Sequence, residues 1–115
     1  MFEGSTFGRT LDILHKGMDV SVLRRQVISD NIANADVPNF KRSTVNFEAS
    51  LKKAIESEKV EPRRVLDYLT TAKNNGNNVD AEQEMMDSLT NQLSYTLQAQ
   101  AINYEYNQVN LVLRS

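Results

Sequence analysis

Apolar residues recur at helical spacing in two stretches, one near each end of the chain, with a less regular segment between them. Phe7, Leu11, Leu14, Met18, Ile28, Ile32 and Ala35 fall on one alternating four-three spacing, interrupted by Ser21 and Arg25. That spacing predicts a coiled-coil-like seam on a helix from about residue 10 to residue 34. Ile13, Val20, Leu23 and Val27 lie on other faces, so the helix is apolar on more than one side. Gly17 costs about 1 kcal/mol inside it.

The helical pattern stops within Ser29 to Lys41. Asn34 and Asn31 suit the hydrogen-bonding or left-handed geometry of a helix end, and Pro38 pushes Val37 into an extended conformation. Pro38 suits the second position of a turn and Asn39 tolerates positive φ at the third, so Phe40 and Lys41 leave in a new direction. The expectation is a rigid corner, with Asn31 and Asn34 capping the helix. Its plain alternative is an ordinary helix C-terminus followed by a turn.

Beyond the corner, residues 42–47 alternate polar and apolar positions and are expected to form an extended arm. Phe47, Leu51, Ala54 and Ile55 then predict a short amphipathic helix ending before Pro62. Residues 63–71 fit a strand or a helix equally, and Lys73 to Asn78, four asparagines around Gly76, reads as a flexible loop. The second long helix is expected over residues 80–115. Asp80 and Gln83 have capping-box spacing, and Glu82, Glu84 and Asp87 complement the positive end of the helix dipole. Met86, Leu89, Leu93, Leu97, Tyr104 and Leu111 form one row of this helix; Tyr95, Ala99, Ile102, Tyr106, Val109 and Leu113 form another. Two residues of offset place the rows about 200° apart, so one partner cannot cover both.

These lengths decide the fold class: mainly α, an elongated pair of long terminal helices with a short irregular or extended middle. The whole of 1–115 is one unit, with 35–79 as the corner, arm and middle helix. Helices of about 35 to 50 Å exceed the roughly 35 Å diameter of a compact globule of this size. Burying Tyr95, Ile102, Tyr106, Val109 and Leu113 would contribute about 10 kcal/mol, comparable to the whole stability of a small domain. Leu11, Leu14, Met18, Ile28, Ile32 and Leu93 join them as the expected assembly interface, shared within the chain and with neighbouring subunits. Head-to-tail repetition of such a contact without closure builds a helical tube. An antiparallel bundle whose middle segments cover the second face fits the periodicity equally well.

Composition narrows the chemistry. A net charge of -2, with lysines and arginines interleaved among glutamates over residues 48–64, supplies no basic field for nucleic acid. Without cysteine the chain has no disulfide, thiolate metal site or cysteine nucleophile, and no cofactor or metal is expected. His15, the sole histidine, lies within the first helix with no evident partner, which suits a surface or interface position better than a catalytic base. No apolar run reaches the roughly 20 residues of a membrane span, and the first residues lack the pattern of a cleavable signal.

The residues Asn31, Ala33, Asn34, Pro38, Phe40 and Lys41 resemble the signature N-x-A-N-x-x-x-P-G-[YF]-[KR] of the flagellar axial proteins, which include rod, hook and hook-associated members. Asn39 departs from it, standing where the family has glycine. Gly76 to Asp80, then Glu82, Glu84, Met85 and Asn91 to Tyr95, is similar to the start of the C-terminal helix in the short rod proteins. The chain has no large domain between its terminal helices, and so most resembles the proximal-rod members. The resemblance implies a structural subunit exported unfolded by the flagellar type III apparatus without signal cleavage. It further implies polymerisation into the periplasmic proximal rod beside other rod proteins and the base (MS) ring and its rod adaptor, transmitting torque and forming part of the channel wall. A soluble helical adaptor or secretion chaperone is the competing class, and a sister proximal-rod protein the competing family member.

Overall fold

A computed structural model describes residues 6–57 and 65–114. The elements follow in the order α1 (Thr6–Ala33), β1 (Ser43–Thr44), α2 (Phe47–Ser57), β2 (Val65–Leu66) and α3 (Ala81–Arg114). The two terminal helices have 28 and 34 residues, about 42 and 51 Å of rise. The molecule measures 65 × 26 × 17 Å with a radius of gyration of 17.8 Å, against about 13 Å for a compact chain of this length. It is mainly helical and elongated, as the helix lengths require. Among the described residues no helix is long and apolar enough to cross a membrane.

α1 begins four residues before the sequence predicts, so Phe7 and Gly8 are helical. Phe7 is held edge-to-face against Tyr106 of α3, with ring centroids 6.3 Å apart, which gives the first turn a tertiary partner. The arm at residues 42–47 is paired as well as extended: β1 and β2 form a two-residue antiparallel ladder, Ser43 opposite Leu66 and Thr44 opposite Val65. Residues 65–66 thereby resolve as strand. The expected halt of the middle helix before Pro62 lies outside the described residues.

The core is where sequence rhythm misleads. Val20, Leu23 and Val27 of the secondary row of α1 are buried, clustered with Val45 of the arm and packed on by Phe47 of α2, while Ile13 of that row is exposed. The regular four-three row is divided. Leu11 and Ile28 are buried, Leu14 and Met18 half-buried, and Ile32 exposed. The reason is that the arm and α2 cross one side of α1 while α3 runs along another, so no single stripe carries the whole burial.

α3 turns a largely polar face to α1. Glu84, Asn91 and Gln98, seven residues apart, line it, and Ile102 is the one apolar side chain of α3 that is buried. Asn91 Nδ2 donates to the Ser21 carbonyl at 2.9 Å, and Ser21 Oγ donates to Gln98 Oε1 at 3.2 Å. A Cβ at Gly17 would lie 3.4 Å from Gln98 Nε2, an ordinary van der Waals contact, so the approach of the helices does not itself require glycine there. Hydrogen bonds of this kind contribute about 1 kcal/mol each, and their geometry fixes the register of the two helices.

Candidate functional site: a clasped corner and an uncovered helix face

The end of α1 leaves backbone carbonyls without intrahelical donors, and each needs a partner. Asn34 supplies the first cap, its N–H and its Nδ2 both donating to the Asp30 carbonyl, at 3.1 and 2.8 Å. Phe40 N–H closes on the Val37 carbonyl at 3.3 Å, with Asn39 at φ +64° in the third position of the turn. That is the backbone the sequence predicts for Pro38 and Asn39. Asparagine replaces the glycine of the motif because it is the next most tolerant residue of positive φ.

Asn31 does something else. Its side chain is buried and forms a pair of hydrogen bonds with the backbone of β1, Nδ2 to the Ser43 carbonyl at 2.7 Å and Oδ1 from the Ser43 N–H at 2.9 Å. The expected cap is thus a strap that ties the departing arm to the helix. Asn31 reaches β1 because the corner reverses the chain and lays residue 43 beside the last turns of α1.

The asparagine-rich segment is a clasp rather than a flexible loop. Asn77 is fully buried and its Nδ2 donates to the Asn34 and Val37 carbonyls, both at 2.8 Å, while its Oδ1 accepts from Val79 N–H at 2.7 Å. Lys73 Nζ caps the Ala35 carbonyl at 2.9 Å, Asn39 N–H donates to the Asn75 carbonyl at 2.9 Å, and Lys41 Nζ donates to the Gly76 carbonyl. Asn78 bridges the residues that flank the two strands, accepting from Arg42 N–H at 2.7 Å and donating to the Asp67 carbonyl at 2.6 Å. Composition alone signals turn and mobility; the partners that order these amides lie about 40 residues away.

Arg42 joins the corner to α3. Its Nε donates to Glu84 Oε1 at 2.7 Å and one terminal nitrogen to Asp67 Oδ2 at 3.0 Å, with Asp87 at 3.9 Å. Burial opposes the arginine's charge, but its hydrogen bonds to Glu84 and Asp67 outweigh that and push its pKa above the ordinary value. Glu84 lies in the first turn of α3 as the dipole reading expects, and it is also a buried ion-pair partner whose Oε2 has no hydrogen bond among the described residues. Asp80 does cap α3, Oδ1 accepting from Glu82 and Gln83 N–H at 3.1 and 3.3 Å, but Gln83 turns forward to Asp87 and leaves the capping box half made.

Asp67 is held well below the usual carboxylate range by the Thr70 hydroxyl first, then by the Thr70 and Leu69 N–H groups and by Arg42. A depressed carboxylate stabilises the fold fully above its ordinary pKa of about 4, and that contribution is lost as pH falls through the folded value. Thr70→Val is expected to raise the Asp67 pKa toward the ordinary value, measured by carboxyl NMR titration. The loss begins near the ordinary carboxylate pKa in both chains, so the variant should lose less stability on acidification and complete that loss at a higher pH than the parent chain in acid-unfolding curves.

On the far side of α3 the apolar row is uncovered. Met86, Leu89, Leu93, Leu97, Tyr104 and Leu111 are between 55 and 72% exposed. Of the second row, Ile102 is buried, Tyr95 and Val109 are half-buried, and Tyr106 and Leu113 are exposed. Leu11, Ile28 and Ile102, expected to serve assembly, are thus occupied within the chain. His15 is exposed on α1.

Two long terminal helices, joined through a clasped corner and leaving one helix face apolar, define an elongated structural building block. Residues 24–41, the end of α1 and the corner, match the family described as flagella basal body rod protein. Across nearly its whole length the chain is 39% identical to the flagellar basal body rod protein FlgB of Borrelia hermsii and to that of Borreliella burgdorferi, in each case over 94% of this chain and 98% of the relative. The FlgB of Bacillus subtilis is 31% identical over 95% and 96%. The chain belongs to the FlgB family of flagellar basal body rod proteins.

Proposed function

We propose that the chain is a structural subunit of the proximal rod, which polymerises by packing the outward face of α3 against neighbouring subunits. The observation that carries this is the inverted burial of α3: a largely polar face lies on α1 while Met86, Leu89, Leu93, Leu97, Tyr104 and Leu111 face outward. Burying six such side chains would contribute on the order of 10 kcal/mol, more than the polar seam within the chain offers. The clasped corner sets the direction in which the arm and α2 leave the helical pair. In this reading the neighbours are other rod proteins and further copies of the chain, at the base (MS) ring and its rod adaptor. The chain reaches the periplasm unfolded, through the flagellar type III apparatus and without signal cleavage, and the finished rod transmits torque and lines part of the export channel.

Leu93→Glu tests the reading. The variant should keep the helix content of the parent, because Leu93 is exposed in the free chain, yet cells carrying it should lose motility and rods. Normal rods in such cells would overturn the proposed role of this face.

A further inference from the structure

Asn75 and Gly76 form the chain's one Asn-Gly pair, and they occupy the centre of the clasp. We infer that Asn75 is a site of spontaneous deamidation that the closed corner guards, so that the reaction marks chains held unfolded. In an unfolded chain the Gly76 nitrogen, unhindered by any side chain, gives up its proton to water or hydroxide and attacks Asn75 Cγ. The N–Cγ bond forms, the Cγ–Nδ2 bond breaks, and ammonia leaves. Water then opens the resulting succinimide. Cleavage of the new N–Cγ bond gives aspartate; cleavage at the original peptide carbonyl gives isoaspartate, with the main chain rerouted through Cβ and Cγ. The net change exchanges an amide and water for a carboxylic acid and ammonia, with no oxidation or reduction.

The folded structure opposes each step. Gly76 N–H is committed to the Lys73 carbonyl at 2.8 Å, and the Asn75 carbonyl accepts from Asn39 N–H at 2.9 Å. Gly76 is fixed at φ +82° with Asn39 packed against it. Asn77 N–H donates to Asn75 Oδ1 at 3.1 Å, which polarises the amide toward attack but also holds it in place. The nucleophile's own commitment dominates, since ring closure cannot begin until the Lys73 bond breaks and the glycine turns. Asn75 is exposed to solvent, so access of water is not what protects it. An isoaspartate at residue 75 would displace the carbonyl that Asn39 uses, and a chain modified while unfolded would not close the same corner.

The test incubates the full chain in native buffer and in urea at one pH and temperature, following the amide-to-acid mass gain and mapping it by peptide analysis that separates aspartate from isoaspartate. The native chain should react at least about tenfold more slowly, as expected when a local opening that breaks several hydrogen bonds must precede the chemistry. Asn77→Ala, which unties the loop from the Asn34 and Val37 carbonyls and leaves the Asn-Gly pair intact, should accelerate the native reaction. Asn75→Gln should abolish the mapped product in urea. Equal rates in the two buffers would overturn the guarding role, and a gain in urea that maps to other asparagines would overturn the site itself.

Discussion

Arg42→Ala is expected to destabilise the folded chain by about 3–5 kcal/mol, the cost of leaving a buried carboxylate without its partner. Glu84 has a side chain 1% exposed and receives its one charge-assisted bond from Arg42 Nε at 2.7 Å. Asp67 would lose its cationic neighbour as well. Arg42→Lys should recover only part of the loss, because an ammonium cannot fork across two carboxylates as the planar guanidinium does. Replacing both Arg42 and Glu84 with apolar residues of similar volume should be far less harmful than Arg42→Ala alone. Urea unfolding of the three variants measures this directly. A double variant as unstable as the single one would mean that the pair, rather than the orphaned charge, is what the fold needs.

Gly76→Ala is the second large effect. A Cβ at this position would sit 2.2 Å from Asn39 Oδ1 and 3.3 Å from Asn39 Cα, on a backbone held at φ +82°. The left-handed conformation alone costs an L-residue about 1–2 kcal/mol, and the contact requires the Asn39 side chain to swing away and its backbone to give way in the corner turn. The expected result is a corner opened at the Asn39 to Asn75 hydrogen bond, seen as faster amide exchange over residues 37–41 and 73–79, with α3 little affected. Adding Asn39→Gly should restore much of the loss. It removes the clashing amide while keeping the positive φ, and glycine is the residue that the axial-protein motif carries there.

The helices, the corner turn and the family were legible in the sequence because each rests on local chemistry. Helical spacing brought out α1 and α3, and Pro38 with Asn39 specified the turn. What stayed hidden depends on partners distant in the chain. Asn31 and Asn77 look like turn residues whether they cap locally or reach 12 or 40 residues away. Arg42, in a segment of alternating polar and apolar residues, carries no mark of the buried pair it makes with Glu84. The rows of α3 were visible, but periodicity could not tell which face met α1, and the answer runs against the usual rule. Asn91 and Gln98 go inward and Leu93 and Leu97 outward, a choice that makes sense only if a second set of contacts awaits the apolar side.

That choice can be examined in the assembled state. Because the chain contains no cysteine, Leu93→Cys creates a unique thiol on the outward face of α3, and its maleimide labelling can be compared between the free chain and purified flagellar basal bodies. Packing of this face against neighbouring subunits predicts rapid labelling of the free chain and protection in the basal body. A thiol that reacts equally fast in both would contradict it.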